Sequence, residues 1–133
     1  MKIIRALLIE PVQIQAAIRL NMAKLGWDVD TASDAIIGLG KALTKYFDLI
    51  LVEISQTQIM DGFLLIDQIK KLAVINKEAL LCTITVNNIP ENKEKAYKLG
   101  VDAFFEGLFL SKTVKEIADF VRDKQSLLGD HNE

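Results

Sequence analysis

The sequence predicts an α/β fold: one domain built on a doubly wound parallel sheet. Three observations predict it. Short apolar runs alternate along the chain with segments of helical periodicity. The stretches between successive runs are long enough to hold a crossover helix and too long for hairpins. The chain has 133 residues, 50% hydrophobic and 26% charged, which suits one buried core and neither two domains nor disorder.

Ile3 to Ile9 is an apolar run interrupted at Arg5, and it reads as a buried parallel strand stopped by Pro11. From Val12 to Leu25, Ile14, Ile18 and Leu25 recur at helical spacing, with Gly26 closing the helix. Trp27 to Thr31 alternates as a half-exposed strand. Ser33 or Asp34 caps a second helix running to about Tyr46. Gly38 and Gly40 weaken that helix by roughly 1 kcal/mol each relative to alanine. Leu49 to Val52 is the most apolar run and the expected central strand. A loop from Ser55 to Gly62 leads into a third helix, about Phe63 to Leu72. Leu80 to Val86 is a fourth strand, followed by turn residues from Asn87 to Pro90. A lysine-rich helix from Glu91 to Leu99 ends at Gly100, and Ala103 to Phe105 is a fifth strand. Ser111 caps a last helix reaching about Lys124. Residues 126–133 are expected to fray or to begin a linker, leaving a domain at 1–125.

Composition removes several function classes. Net charge is −2 with both signs interspersed, so no nucleic-acid footprint is expected. No uncharged run approaches the ~18 residues of a membrane span, and the start lacks a cleavage signal. Cys82 is the single cysteine, in keeping with a reducing cytoplasm. His131 is the single histidine, which leaves no basis for a histidine metal cluster, a Ser-His-Asp triad or a Cys-His pair. No enzyme activity and no cofactor are expected.

In an open sheet of flavodoxin-like order 2-1-3-4-5, ligands bind at the carboxyl ends of strands 1 and 3. Strand 1 ends at Glu10, strand 3 at Glu53 and strand 4 at Thr85. Two carboxylates and a hydroxyl are therefore expected to share one crevice.

Several segments, in order, carry a resemblance. They are Leu7-Leu8-Ile9-Glu10, Lys24-Leu25-Gly26-Trp27-Asp28-Val29, Asp48-Leu49-Ile50-Leu51-Val52-Glu53, Met60-Asp61-Gly62, Thr85, and Ala96-Tyr97-Lys98-Leu99-Gly100-Val101-Asp102. Across residues 3–124 the chain resembles the receiver domains of two-component response regulators. The family's phosphorelay chemistry rests on paired acids after strand 1, an aspartate ending strand 3, a Thr or Ser ending strand 4, and Lys-Pro after strand 5. Matched residue by residue, Thr85 agrees and Phe104 falls at the switch aromatic. Ile9 stands at the first acid, Glu10 at the second, Glu53 at the phosphoacceptor, Gly107 at the lysine and Leu108 at the proline. The loop from Glu53 to Gly62 is one residue longer than the family's, and Ser55-Gln56-Thr57-Gln58 replaces its proline-bearing part.

These departures decide the expected chemistry. Phosphoryl transfer to a carboxylate needs correct reach, Mg²⁺ and a lysine for the developing charge. The extra methylene of Glu53 displaces its carboxylate by roughly 1.5 Å, and a shift on the order of 1 Å can cost about 10²-fold in rate. Glu10 and Glu53 alone leave at most weak Mg²⁺ ligation. Glu53→Asp by itself is not expected to restore the reaction; Ile9→Asp and Gly107→Lys are needed with it. Glu53 either imitates a phosphoaspartate, with Thr85 as its partner, or simply fills space.

The expected function is thus a pseudo-receiver acting through protein partners, a second copy of the chain among them. The rivals are a phosphorelay receiver with Glu53 or Ser55 as acceptor, and a small-ligand or metal-binding module using Glu10 and Glu53. Partners are expected on the surface of the fourth helix, fifth strand and fifth helix. Phe120 is its anchor, with Ile117, Lys95 and Lys98 as further candidates. Gly38-Leu39-Gly40-Lys41-Ala42 lacks the pattern of a phosphate loop.

Overall fold

The computed structural model describes residues 2–10, 12–54, 62–85, 89–107 and 111–129, with backbone only at 12–15, 17 and 126–129. In chain order the elements are β1 (Arg5–Ile9), α1 (Val12–Ala23), β2 (Asp28–Ala32), α2 (Ala35–Thr44), β3 (Leu49–Glu53), α3 (Gly62–Leu72), β4 (Leu80–Thr85), α4 (Pro90–Lys98), β5 (Ala103–Glu106) and α5 (Ser111–Gly129). The strands pair in parallel in the order β2-β1-β3-β4-β5, as the sequence predicts.

Burial explains the order. Every residue of β3 is buried, so it takes the centre. β2 is the edge strand, half-exposed along most of its length. One core layer joins Leu7, Ile9, Ile50 and Val52 to α2, α3 and α4 through Ala42, Leu65, Ile66, Ile69 and Ala96. The opposite layer joins Leu8, Leu51 and Ile84 to α1 and α5 through Ile18, Met22, Val114, Ile117 and Val121.

Two aspartates fix strand register. Asp48, just before β3, accepts the Arg5 N–H at 2.9 Å and pairs with Lys2 at 2.7 Å. Asp102, just before β5, accepts the Leu81 N–H at 2.8 Å. Each carboxylate binds the neighbouring strand's backbone, so a one-residue slip breaks a charge-assisted bond as well as the core pattern.

Some boundaries differ from expectation. Asp34, not Ser33, caps α2: its Oδ1 accepts the Ile37 N–H at 2.8 Å. α2 stops at Thr44 because a 3-10 turn, Val74–Asn76, packs under its end. The buried Asn76 side chain donates to the carbonyls of Ala42 and Lys45 at 2.6 and 2.8 Å, and accepts the Phe47 N–H at 2.8 Å. α5 continues through Gly129, well beyond Lys124, since Gln125 to Leu128 contain no helix breaker. Pro11 and the end of the chain from Asp130 on lie outside the described residues.

The two α2 glycines behave differently. A Cβ on Gly38 would lie 2.7 Å from Ile9 Cδ1, so α2 can sit on β1 only because Gly38 has no side chain. A Cβ on Gly40 would meet nothing within 4 Å. Gly38→Ala is therefore expected to destabilise the fold by about 1–3 kcal/mol through overpacking, against its helix propensity. Gly40→Ala is expected to stabilise it by up to about 1 kcal/mol. Urea unfolding of both variants at low protein concentration checks the pair.

Candidate functional site

β1 delivers Glu10 to the carboxyl edge of the sheet, where its N–H bonds to the Ala32 carbonyl at 3.0 Å. β3 delivers Glu53 to the same edge. Ile9 pairs with Val52 across the two strands, so the carboxylates fall opposite one another one residue further on. Both side chains are buried, at 3% and 5% exposure. They line one cleft with Ile9, Ser33, Asp34, Ala35, Gly62 and Leu65. The expected meeting of Glu10 and Glu53 is therefore found.

Thr85 is fully buried at the end of β4, one residue beyond Ile84, which pairs with Glu53 across the strands. Its carbonyl accepts the Gly107 N–H at 2.9 Å and ties the end of β5 to β4.

The cleft is tight. Its volume is ≈ 10 Å³, about the space of one water. Mg²⁺ requires several oxygen ligands in near-octahedral geometry and keeps part of its hydration shell. Among the described residues no three potential metal ligands cluster, and the Asp34 carboxylate that also lines the cleft is engaged in capping α2. The described residues therefore do not fit a hydrated divalent ion.

Ile9 explains part of this. It is 4% exposed, belongs to the core under α2 and sits against Gly38. The position matched to the family's first acid is thus a packing position. Gly107 departs as firmly. Its φ is +132°, and a Cβ there would stand 3.0 Å from Thr113 Oγ1. A non-glycine residue in so sparsely populated a region costs on the order of 1–3 kcal/mol. Ile9→Asp would put a carboxylate into the core, and Gly107→Lys would strain the backbone.

The remaining candidates are placed as follows. Phe104 is half-buried against the α2–α3–α4 layer. Phe120 is also half-buried, edge-on to Phe105 with centroids 5.9 Å apart, and the Lys124 ammonium lies 5.6 Å from its ring. Ile117 has no exposed surface and is withdrawn as an interface residue; its helical line is the one that faces the sheet. Lys95 stacks over Phe63 of α3 at 4.4 Å, and Lys98 pairs with Glu94 at 3.3 Å. Burial first, then Asp102, raises the pKa of the Cys82 thiol, in keeping with an inert core residue. Ser55 and Leu108 lie outside the described residues.

With this geometry in hand, the solved structures give the fold a class. A chemotaxis response regulator of Vibrio cholerae, CheY4, matches with a TM-score of 0.80 at 21% identity, over 90% of this chain and 99% of that one. NtrX from Brucella abortus matches with a TM-score of 0.83 at 21% identity, over 98% of this chain and 29% of that one. A Burkholderia pseudomallei response regulator, solved with a phosphorylated aspartic acid, calcium ion and citrate, matches at 0.71 and 19%, over 92% and 73%. The chain has the CheY-like receiver fold. No protein-family model and no curated protein matches it. Within the receiver fold, the cleft of Glu10 and Glu53 occupies the switch point at the carboxyl ends of β1 and β3.

Burial, and then the neighbouring Glu53, pushes the Glu10 carboxyl up from about 4.5 to about 8. The folded state therefore holds a proton that the unfolded chain releases between these values. Glu10 stabilises the fold fully below its unfolded pKa, and that contribution is lost as pH rises through about 8. Stability is expected to fall from pH 5 to pH 9, and Glu10→Gln to flatten the slope. The variant is expected to be the more stable protein at pH 9, by about 1–3 kcal/mol. Chemical denaturation across that pH range checks it.

Proposed function

We propose that this chain is a receiver-like signalling module that works without phosphotransfer, through contact with other proteins. The observation that carries this reading is the closed cleft, where two buried carboxylates face one another with room for about one water. The Burkholderia structure carries a phosphorylated aspartic acid; the resemblance puts Glu53 at that position here. Ile9 takes one acid's place and packs as core, and Gly107 takes the lysine's place on a backbone unsuited to it. Loss of positioning, metal ligation and charge stabilisation together removes the terms that phosphoryl transfer relies on.

The buried Glu53 gives the site a permanent acidic group. With Gly107 at the lysine's place, a space-filling role is favoured over phosphoaspartate mimicry. No catalytic activity and no cofactor are assigned. The partner is a protein, by analogy with receiver folds that form part of longer chains, as in NtrX. Among the described residues no helix is long and apolar enough to cross a membrane. A cytoplasmic setting accords with the buried free thiol of Cys82.

Incubation with acetyl phosphate and millimolar Mg²⁺, read by intact mass, tests the reading. No mass change is expected, and none with beryllofluoride. Addition of one phosphoryl group overturns it in favour of a conventional receiver with an atypical acceptor.

A further inference from the structure

An open sheet leaves an unpaired side on each outer strand, and β2 is one of them. Alternate residues of a parallel strand turn both backbone groups the same way. The Asp28 N–H bonds to the Ile4 carbonyl at 2.8 Å, and the Ala32 carbonyl accepts the Glu10 N–H at 3.0 Å. Asp28, Asp30 and Ala32 therefore serve β1, and Val29 and Thr31 turn their N–H and C=O groups outward.

Both outward groups of Thr31 are taken by side chains. Its N–H donates to Asp30 Oδ1 at 2.9 Å. Its carbonyl accepts a bond from Lys41 Nζ of α2 at 2.8 Å. Lys41 Nζ also donates to Asp30 Oδ1 at 2.8 Å, and Lys45 Nζ donates to Oδ2 at 2.6 Å. Burial works against the Asp30 charge, but the hydrogen bonds from Lys41 and Lys45 outweigh it and hold the carboxyl down at about 2. An ion pair by itself needs neither backbone group of Thr31. Here the carboxylate and one ammonium each also bind the free side of the strand. Two ammoniums against one carboxylate leave one positive charge, which a second copy would meet in kind.

We propose that Asp30 and Lys41 guard the open edge of the sheet against strand addition, and that the occupant they exclude is β2 of a second copy. With a two-fold axis at Asp30, antiparallel β2 strands would bond Val29 of each copy to Thr31 of the other. The guard already occupies the Thr31 half of those groups. This inference is independent of the reading of the acidic cleft.

Amide exchange of the full chain, read by NMR, tests the guard. Relative to its intrinsic rate, the Thr31 N–H is expected to exchange about 10-fold more slowly than the Val29 N–H, although both face away from β1. Sedimentation from about 1 μM to about 1 mM in about 0.5 M salt tests the consequence. Asp30→Thr combined with Lys41→Gln leaves one positive charge, as in the parent, so a change in association reports the freed backbone groups. Self-association about 10-fold tighter than the parent's is expected, with circular dichroism confirming the fold. Adding Thr31→Pro is expected to return it to the parent's level, because that N–H serves no bond to β1. Equal exchange at Thr31 and Val29 overturns the proposal. So does a folded double variant that associates no more tightly than the parent, or a gain that survives Thr31→Pro. The exchange comparison needs no variant and decides the matter if the double variant fails to fold.

Discussion

The packing of Ile9 beneath Gly38 is the constraint on which the cleft depends. It brings α2 down onto β1, and Asp34 then caps the helix at the cleft rim. It also commits the last residue of β1 to the core, so the next residue, Glu10, carries the strand's only carboxylate at this edge. With α2 so close, Glu10 and Glu53 are shut away from bulk water. Burial and the neighbouring Glu53 then favour the protonated form of Glu10.

Much of the fold was legible because strand and helix periods are local signals. The apolar runs at Leu49 to Val52 and Leu80 to Thr85 announce strands buried on both faces, and their spacing admits only crossover helices. Sheet order came with the flavodoxin-like class, and it agrees with hydropathy: the most apolar run takes the centre and the alternating Asp28-Val29-Asp30 run takes an edge. The meeting of Glu10 and Glu53 was readable for a related reason, since strand ends in a doubly wound sheet converge by topology alone.

What escaped the sequence depends on contacts distant along the chain. Nothing near Asn76 signals that its amide will close three backbone groups of the α2–β3 connection. Asp48 and Asp102 read as ordinary polar residues before strands, and only the sheet reveals the backbone N–H groups they accept. Ile117 reads as an interface candidate in the sequence, and only its burial shows that it packs in the core between α5 and the sheet.

The conformation at Gly107 limits which sequences this backbone can carry. A chain whose backbone has settled at φ +132° tolerates glycine there and penalises a side chain. A lysine arriving by a single substitution meets that penalty before any carboxylate geometry rewards its charge, because Ile9 still fills its core position. An acid arriving at Ile9 first must be buried in an apolar layer under α2. Each single step back is less stable than its starting point, whichever comes first. The end of β5 thus acts as a ratchet: it separates this chain from a charged-site sequence on the same fold by a valley in stability rather than by a count of substitutions.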